Sequence, residues 1–292
     1  MKWPSVLWRG LVIGVADVIP GVSGGTIALL TGIYERFINA LKELTNLPKY
    51  FYELITKKKS LQEINAQLDW QFLIPLMIGI TSAIALASII IPPLMNNYPA
   101  PTFSFFIALI IAASIGLLRA ETQQLSSIIA LIIGLAIGIS FGLIASTTIQ
   151  HGPLQLLIAG ALAMSAMLLP GISGSAVLLI LGQYAFILQA IHNPIENSLV
   201  IASFVVGILI GVIIITRIIS KLLSYSRLHT ISALTGLMLG ALIMPLQQAL
   251  THIPEQPVLS ATLAIVGLVL GALLLLSHNP KVSEKTPHQE QS

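Results

Sequence analysis

Along the chain, long apolar stretches alternate with short polar connections. A helix needs roughly 20 apolar residues to cross a hydrocarbon core. Six stretches approach that length: 70–94, 102–118, 126–149, 199–216, 230–250 and 258–277. Two further apolar regions, 11–33 and 153–190, are interrupted near their middles by proline, glycine and serine. Such residues break a helix and leave backbone groups without partners, a state tolerated at membrane depth chiefly where the chain lines a cavity. The pattern therefore predicts an all-α membrane protein with six spans and two broken regions. Residues 35–59 read as an interfacial helix, with Phe37, Ile38, Leu41 and Leu44 on one face and Lys42, Lys49 and Lys57 to Lys59 free to meet lipid headgroups. The tail 278–292 is polar, contains prolines and is expected to be disordered.

Composition removes the soluble alternative. Of the 292 residues, 55% are hydrophobic and 9% charged, and the mean hydropathy is +0.93. A soluble domain of that size needs far more charge on its surface. The absence of cysteine excludes disulfides and thiolate metal sites. The six histidines lack metal-site spacing, so no metal and no cofactor is expected, and His151, His192 and His252 read as surface residues. The N-terminus lacks the layout of a cleaved signal peptide and is expected to be retained.

Charge then orients the spans. The net charge of +3 argues nothing about nucleic acid, because the basic residues follow the membrane. Lys2 and Arg9 precede the first broken region, and Arg36, Lys42, Lys49 and Lys57 to Lys59 follow it. By the positive-inside rule both flanks are cytoplasmic, so the region enters and leaves on one side as a re-entrant hairpin. Threading the remaining spans puts Arg119, then Arg217, Lys221 and Arg227, then Lys281 and Lys285 inside. All 14 lysines and arginines fall on the cytoplasmic side, none near MNNYPAP, His151 or THIPEQP. Both termini are then cytoplasmic. Each half holds one hairpin and three spans, an odd number, so the second half is inverted relative to the first. The expected division is 1–150 for the first repeat and 151–277 for the second.

The two broken regions carry one motif twice. Residues 19–34 read IPGVSGGTIALLTGIY and residues 169–184 read LPGISGSAVLLILGQY, with seven of sixteen positions identical and a constant offset of 150. A duplicated motif in oppositely oriented halves is the signature of an inverted-repeat transporter, with substrate bound where the repeats meet near the midplane. Proline and glycine stop the first arm of each hairpin. The second arm then starts with unpaired N–H groups and the positive end of its dipole facing the membrane centre. Such an end suits an anion, phosphate above all. The candidate substrate site is therefore Pro20, Gly21, Val22, Ser23, Gly24, Gly25 and Thr26 with Pro170, Gly171, Ile172, Ser173, Gly174 and Ser175. A purely structural role, breaking helices so that neighbours pack, is the plainer alternative.

Single charges add to that site. Asp17 lies inside an apolar segment three residues before Pro20, and its counterpart in the repeat is Met167. Intramembrane carboxylates are costly and default to function, here coupling to a proton or a sodium ion. Capping the turn is the alternative role. Arg9, roughly two turns earlier on a similar face, and Arg119, alone beside Glu121, are candidates to meet a phosphate; snorkelling to the interface is the simpler reading of both. Glycines at 10/14, 134/138/142, 207/211, 236/240 and 267/271 are spaced for close helix contact. They serve packing within one chain as well as between copies, so oligomeric state stays open.

The stretches GVADVIPGVSGGTIALLTGIYERF and AMLLPGISGSAVLLILGQY resemble the two motifs of the bacterial polyprenyl-phosphate transporters, and the resemblance covers nearly the whole membrane region. It implies a protein of the bacterial inner membrane that returns undecaprenyl phosphate, the lipid carrier for cell-wall polymers, from the outer to the inner leaflet. Two alternatives stand beside it. Undecaprenyl-diphosphate phosphatases have similar Pro-Gly-x-Ser turns, but with an arginine after the serine and a glutamate-rich first motif. Here Gly24 and Gly174 occupy that place and the first motif has no glutamate pair, so phosphoryl transfer lacks its charge stabilisation. A small-anion transporter would also use helix ends at mid-depth.

Overall fold

The computed structural model describes residues 2–19, 22–56, 58–121, 124–144 and 151–277. Pro20, Gly21 and Lys57, the end of the third predicted span and the polar tail lie outside the described residues, as do the side chains of Arg119 and His192. The chain is helical, with no strand among the described residues. The first half comprises α1 (Trp3–Val18), α2 (Gly24–Leu30), α3 (Tyr34–Thr45), α4 (Leu47–Ile55), α5 (Leu61–Gln67), α6 (Trp70–Asn97), α7 (Pro99–Glu121) and α8 (Leu125–Gly142). The second comprises α9 (Pro153–Leu168), α10 (Gly174–Ile180), α11 (Tyr184–His192), α12 (Ser198–Tyr225), α13 (Arg227–Ala241), α14 (Ile243–His252) and α15 (Pro257–Ser277), with one 3₁₀ turn at Ile253–Glu255.

Among the described residues, five helical stretches are long and apolar enough to cross a membrane: α6, residues 99–118 of α7, α8, α12, and the stretch from α13 to the 3₁₀ turn. The sixth predicted span forms α15, 21 residues long. Two differences from the expected pattern have plain causes. The fifth span is broken at Leu242 between α13 and α14, because Pro245 cannot donate to the Ala241 carbonyl and its ring crowds that group. The interfacial segment is three short helices, and the apolar face of α3 goes to the protein interior. Ile38 is fully buried and Phe37, Leu41 and Leu44 pack on the same core. It is α4 that exposes Phe51, Tyr52 and Ile55.

Close glycine contacts order the bundle, and the same contact occurs in both halves. A Cβ on Gly10 would lie 2.4 Å from the Leu76 carbonyl oxygen, pinning α1 to α6; one on Gly160 would lie 2.4 Å from the Phe204 oxygen, pinning α9 to α12. Between halves, α8 packs on α13 and α15 packs on α7. Gly134 faces the Ala233 oxygen in the first of these pairs, and Gly267 faces the Phe105 oxygen in the second. Each half thus lends its last helix to the other. In a bilayer, where helix association depends on close packing rather than on water, these missing side chains are what let the backbones meet.

Candidate functional site

Both second arms begin directly after the serine of the motif, so the residues that follow it lie in the first helical turn and not in a turn before the helix. Helix α2 starts at Gly24 and α10 at Gly174, and each runs seven residues. Every residue of α2 is buried. Helix α10 meets α11 at 109°, a bend that makes this pair either a broken span or a re-entrant loop.

The two tips touch, and the contact is unequal. Helix α9 ends at the second tip with carbonyls that lack intrahelical partners. Hydroxyls from the first hairpin satisfy them: Ser23 Oγ faces the carbonyl oxygens of Met167 at 3.1 Å and Leu169 at 3.2 Å, and Tyr34 donates to the Leu168 oxygen at 3.1 Å. In return, the Gly171 N–H donates to Thr26 Oγ1 at 2.8 Å. Gly171 has φ +89°, and a Cβ there would lie 2.6 Å from the Met238 Cα on α13. Only glycine fits both conditions. The second hairpin does not reciprocate: Tyr184 is exposed, and Ser173 Oγ pairs with Ser175 Oγ at 2.7 Å.

The N-terminus of α2 is already satisfied. Asp17 Oδ1 accepts the Gly24 N–H at 2.7 Å and Ser23 Oγ accepts the Gly25 N–H at 3.1 Å. Gly24 has to be glycine, since a Cβ would lie 2.7 Å from both Asp17 carboxylate oxygens. At the other end of α2, Arg9 Nε donates to the Thr31 carbonyl at 3.3 Å. Arg9 Nη1 also donates to the Ser5 carbonyl at 2.6 Å, and the guanidinium covers the Trp8 ring at 4.9 Å. Two charges on α1, about 12 Å apart at 1.5 Å per residue, therefore bracket α2 with the signs its dipole favours. Asp17 does cap the turn, and Arg9 is committed to the end of α2.

The second copy has neither charge, since Met167 and Ala159 stand at those positions. Ser173 makes no cap bond to α10. At the far end, Gln183 Nε2 donates to the Leu181 carbonyl at 3.4 Å, where Arg9 serves Thr31 in the first copy. Gln183 is 1% exposed, and its Oε1 lies 3.0 Å from His151 Nδ1. Sequence reasoning passed over Gln183; a lone amide in an apolar run was the available signal. Among the described residues, no group of three His, Cys, Asp or Glu side chains could hold a metal.

A cavity of about 470 Å³ opens between α6, α7 and α15. Ile91, Leu94, Phe105, Phe106, Leu259 and Leu263 line it, with Tyr98 and Thr102. Ile91, Phe105 and Phe106 also belong to the apolar core that encloses the tips.

Residues 13–258, both hairpins included, match the family described as undecaprenyl phosphate translocase-like. The chain belongs to that family. Two relatives agree with the assignment. A Vibrio cholerae protein is 37% identical over 255 residues, covering 86% of this chain and 80% of that protein. A Staphylococcus aureus protein is 31% identical over 290 residues, covering 94% and 96% respectively. Both bear the name polyprenyl-phosphate transporter. No solved structure matches the chain. Membership in the translocase-like family makes this multi-pass membrane protein a transporter and not an enzyme, which removes the phosphatase alternative.

Proposed function

We propose that the protein carries polyprenyl phosphate, with undecaprenyl phosphate as the expected species, from the outer to the inner leaflet by alternating access about the paired hairpin tips. One observation carries the reading: the Gly171 N–H and the Thr26 hydroxyl, 145 residues apart, join the two copies of one motif. A joint between repeats is where an inverted-repeat transporter keeps its substrate, and we read the two halves as inverted and their hairpins as re-entrant.

The phosphate binds on the α10 side. Ser173 and Ser175 supply hydroxyls there, and the first N–H groups of α10 lack intrahelical partners, whereas Asp17 and Ser23 occupy those of α2. Residues Val22 to Thr26 and Pro170 to Ile172 form the walls. Asp17 couples the cycle: a carboxylate beside a phosphate is disfavoured as a like charge, so arrival of the phosphate favours taking up a cation, most simply a proton. Arg9 holds α2 in place. The isoprenoid chain follows through the apolar cavity between α6, α7 and α15. The distribution of basic residues supports an orientation with both termini cytoplasmic, and the family resemblance supports the inner membrane.

Depletion of the protein from its host tests the direction. Undecaprenyl phosphate should accumulate in the outer leaflet, read with a membrane-impermeant reagent for phosphomonoesters. An unchanged outer-leaflet pool would sink the proposal.

A further inference from the structure

We infer that His151 is a recognition residue for a phosphomonoester headgroup at the outer face, binding it through Nε2 before it reaches the tips. The inference rests on the transport of polyprenyl phosphate and on the outward placing of residue 151 proposed above.

The geometry fixes the ring. Gln183 is buried, and its amide nitrogen faces the Leu181 carbonyl, so its oxygen is the atom turned toward His151. An amide oxygen only accepts, so His151 Nδ1 carries the hydrogen between them. Phe186 stacks on the imidazole, with centroids 4.3 Å apart and planes 6° from parallel. Position, tilt and tautomer are thereby all set by neighbours through Nδ1 and the ring face, and the residue itself is exposed. A histidine that is merely on a surface does not need a buried glutamine and a stacked ring to hold it.

Charge gives the ligand class. None of the 14 lysines and arginines falls on the outer side in the charge-based topology, so an anionic headgroup arriving there meets no permanent cation. An imidazole Nε2 can accept from a monoprotonated phosphate or, when protonated, donate to the dianion. His252 is held only by a carbonyl of its own helix, Gln248 O at 3.0 Å.

The test uses the full chain in proteoliposomes of known orientation, with farnesyl phosphate supplied from either side. His151→Ala should raise the KM for outside loading about tenfold, the scale of one hydrogen bond to a charged group, and leave the KM for inside loading unchanged. Gln183→Leu should do the same, because it frees the ring. Inorganic phosphate outside should compete with the wild type and lose that competition in His151→Ala. An unchanged outside KM in His151→Ala, an equal rise on both sides, or undiminished competition by phosphate would overturn the inference. Absence of transport by the wild type would instead overturn the underlying function.

Discussion

The Gly171 N–H donates to Thr26 Oγ1 at 2.8 Å, so the two copies of the motif share a part-buried hydrogen bond. Thr26 is 1% exposed, and replacing its hydroxyl by a methyl would leave the Gly171 donor without a partner. Thr26→Val is therefore expected to cost about 1–3 kcal/mol, read as a lowered melting temperature in detergent, whereas Thr26→Ser should melt near wild type. Equal melting of Thr26→Val and wild type would mean that the tips do not depend on this bond.

The left-handed glycines should separate strain from crowding. Gly171 and Gly182 both have positive φ, but a Cβ at Gly171 would also strike the Met238 backbone. A left-handed backbone costs a Cβ-bearing residue about 1–2 kcal/mol. Gly182→Ala should lose about that much stability, and Gly171→Ala distinctly more. Measured losses in the reverse order would contradict the placement of the second tip against α13.

Asp17 both caps α2 and carries a charge, and Asp17→Asn divides the two roles. The asparagine oxygen can still accept the Gly24 N–H, so the variant should fold and melt within about 1 kcal/mol of wild type. Its transport should fall at least tenfold. Arg9→Lys keeps the positive charge by the Thr31 carbonyl and should impair transport less. Near-normal transport in both variants would remove Asp17 from the mechanism.

Because the chain has no cysteine, single cysteines can report sidedness. Asn96→Cys, Glu196→Cys and Glu255→Cys should react with an impermeant thiol reagent from outside, and Ser60→Cys and Lys221→Cys only after the cytoplasmic face is opened. All five sites are exposed. Labelling of residues 196 and 60 from the same side would refute the inverted arrangement.

Much of this was legible from the residues alone. The motif marked the break before α2 and the break before α10, and the glycine pairs marked the helix contacts, because backbone breaks and missing side chains act locally. What was not legible depends on which elements meet. Nothing in the spacing of Arg9 and Asp17 says that they bracket a seven-residue helix returning beside α1. Nor does the duplicated motif say that Ser23 and Tyr34 serve the end of α9 while Ser173 and Tyr184 do not serve α1. That asymmetry follows from tertiary packing, and it moved the expected phosphate contacts toward the second tip.

The most direct test is cross-leaflet movement of undecaprenyl phosphate in proteoliposomes, comparing wild type with the Ser173→Ala/Ser175→Ala double variant. Wild type should equilibrate the lipid between leaflets and release no phosphate from undecaprenyl diphosphate, and the double variant should be slowed about tenfold or more, the scale of one hydrogen bond to a charged group. Movement no faster than in protein-free vesicles, or a double variant as fast as wild type, would contradict binding of the phosphate at the paired tips.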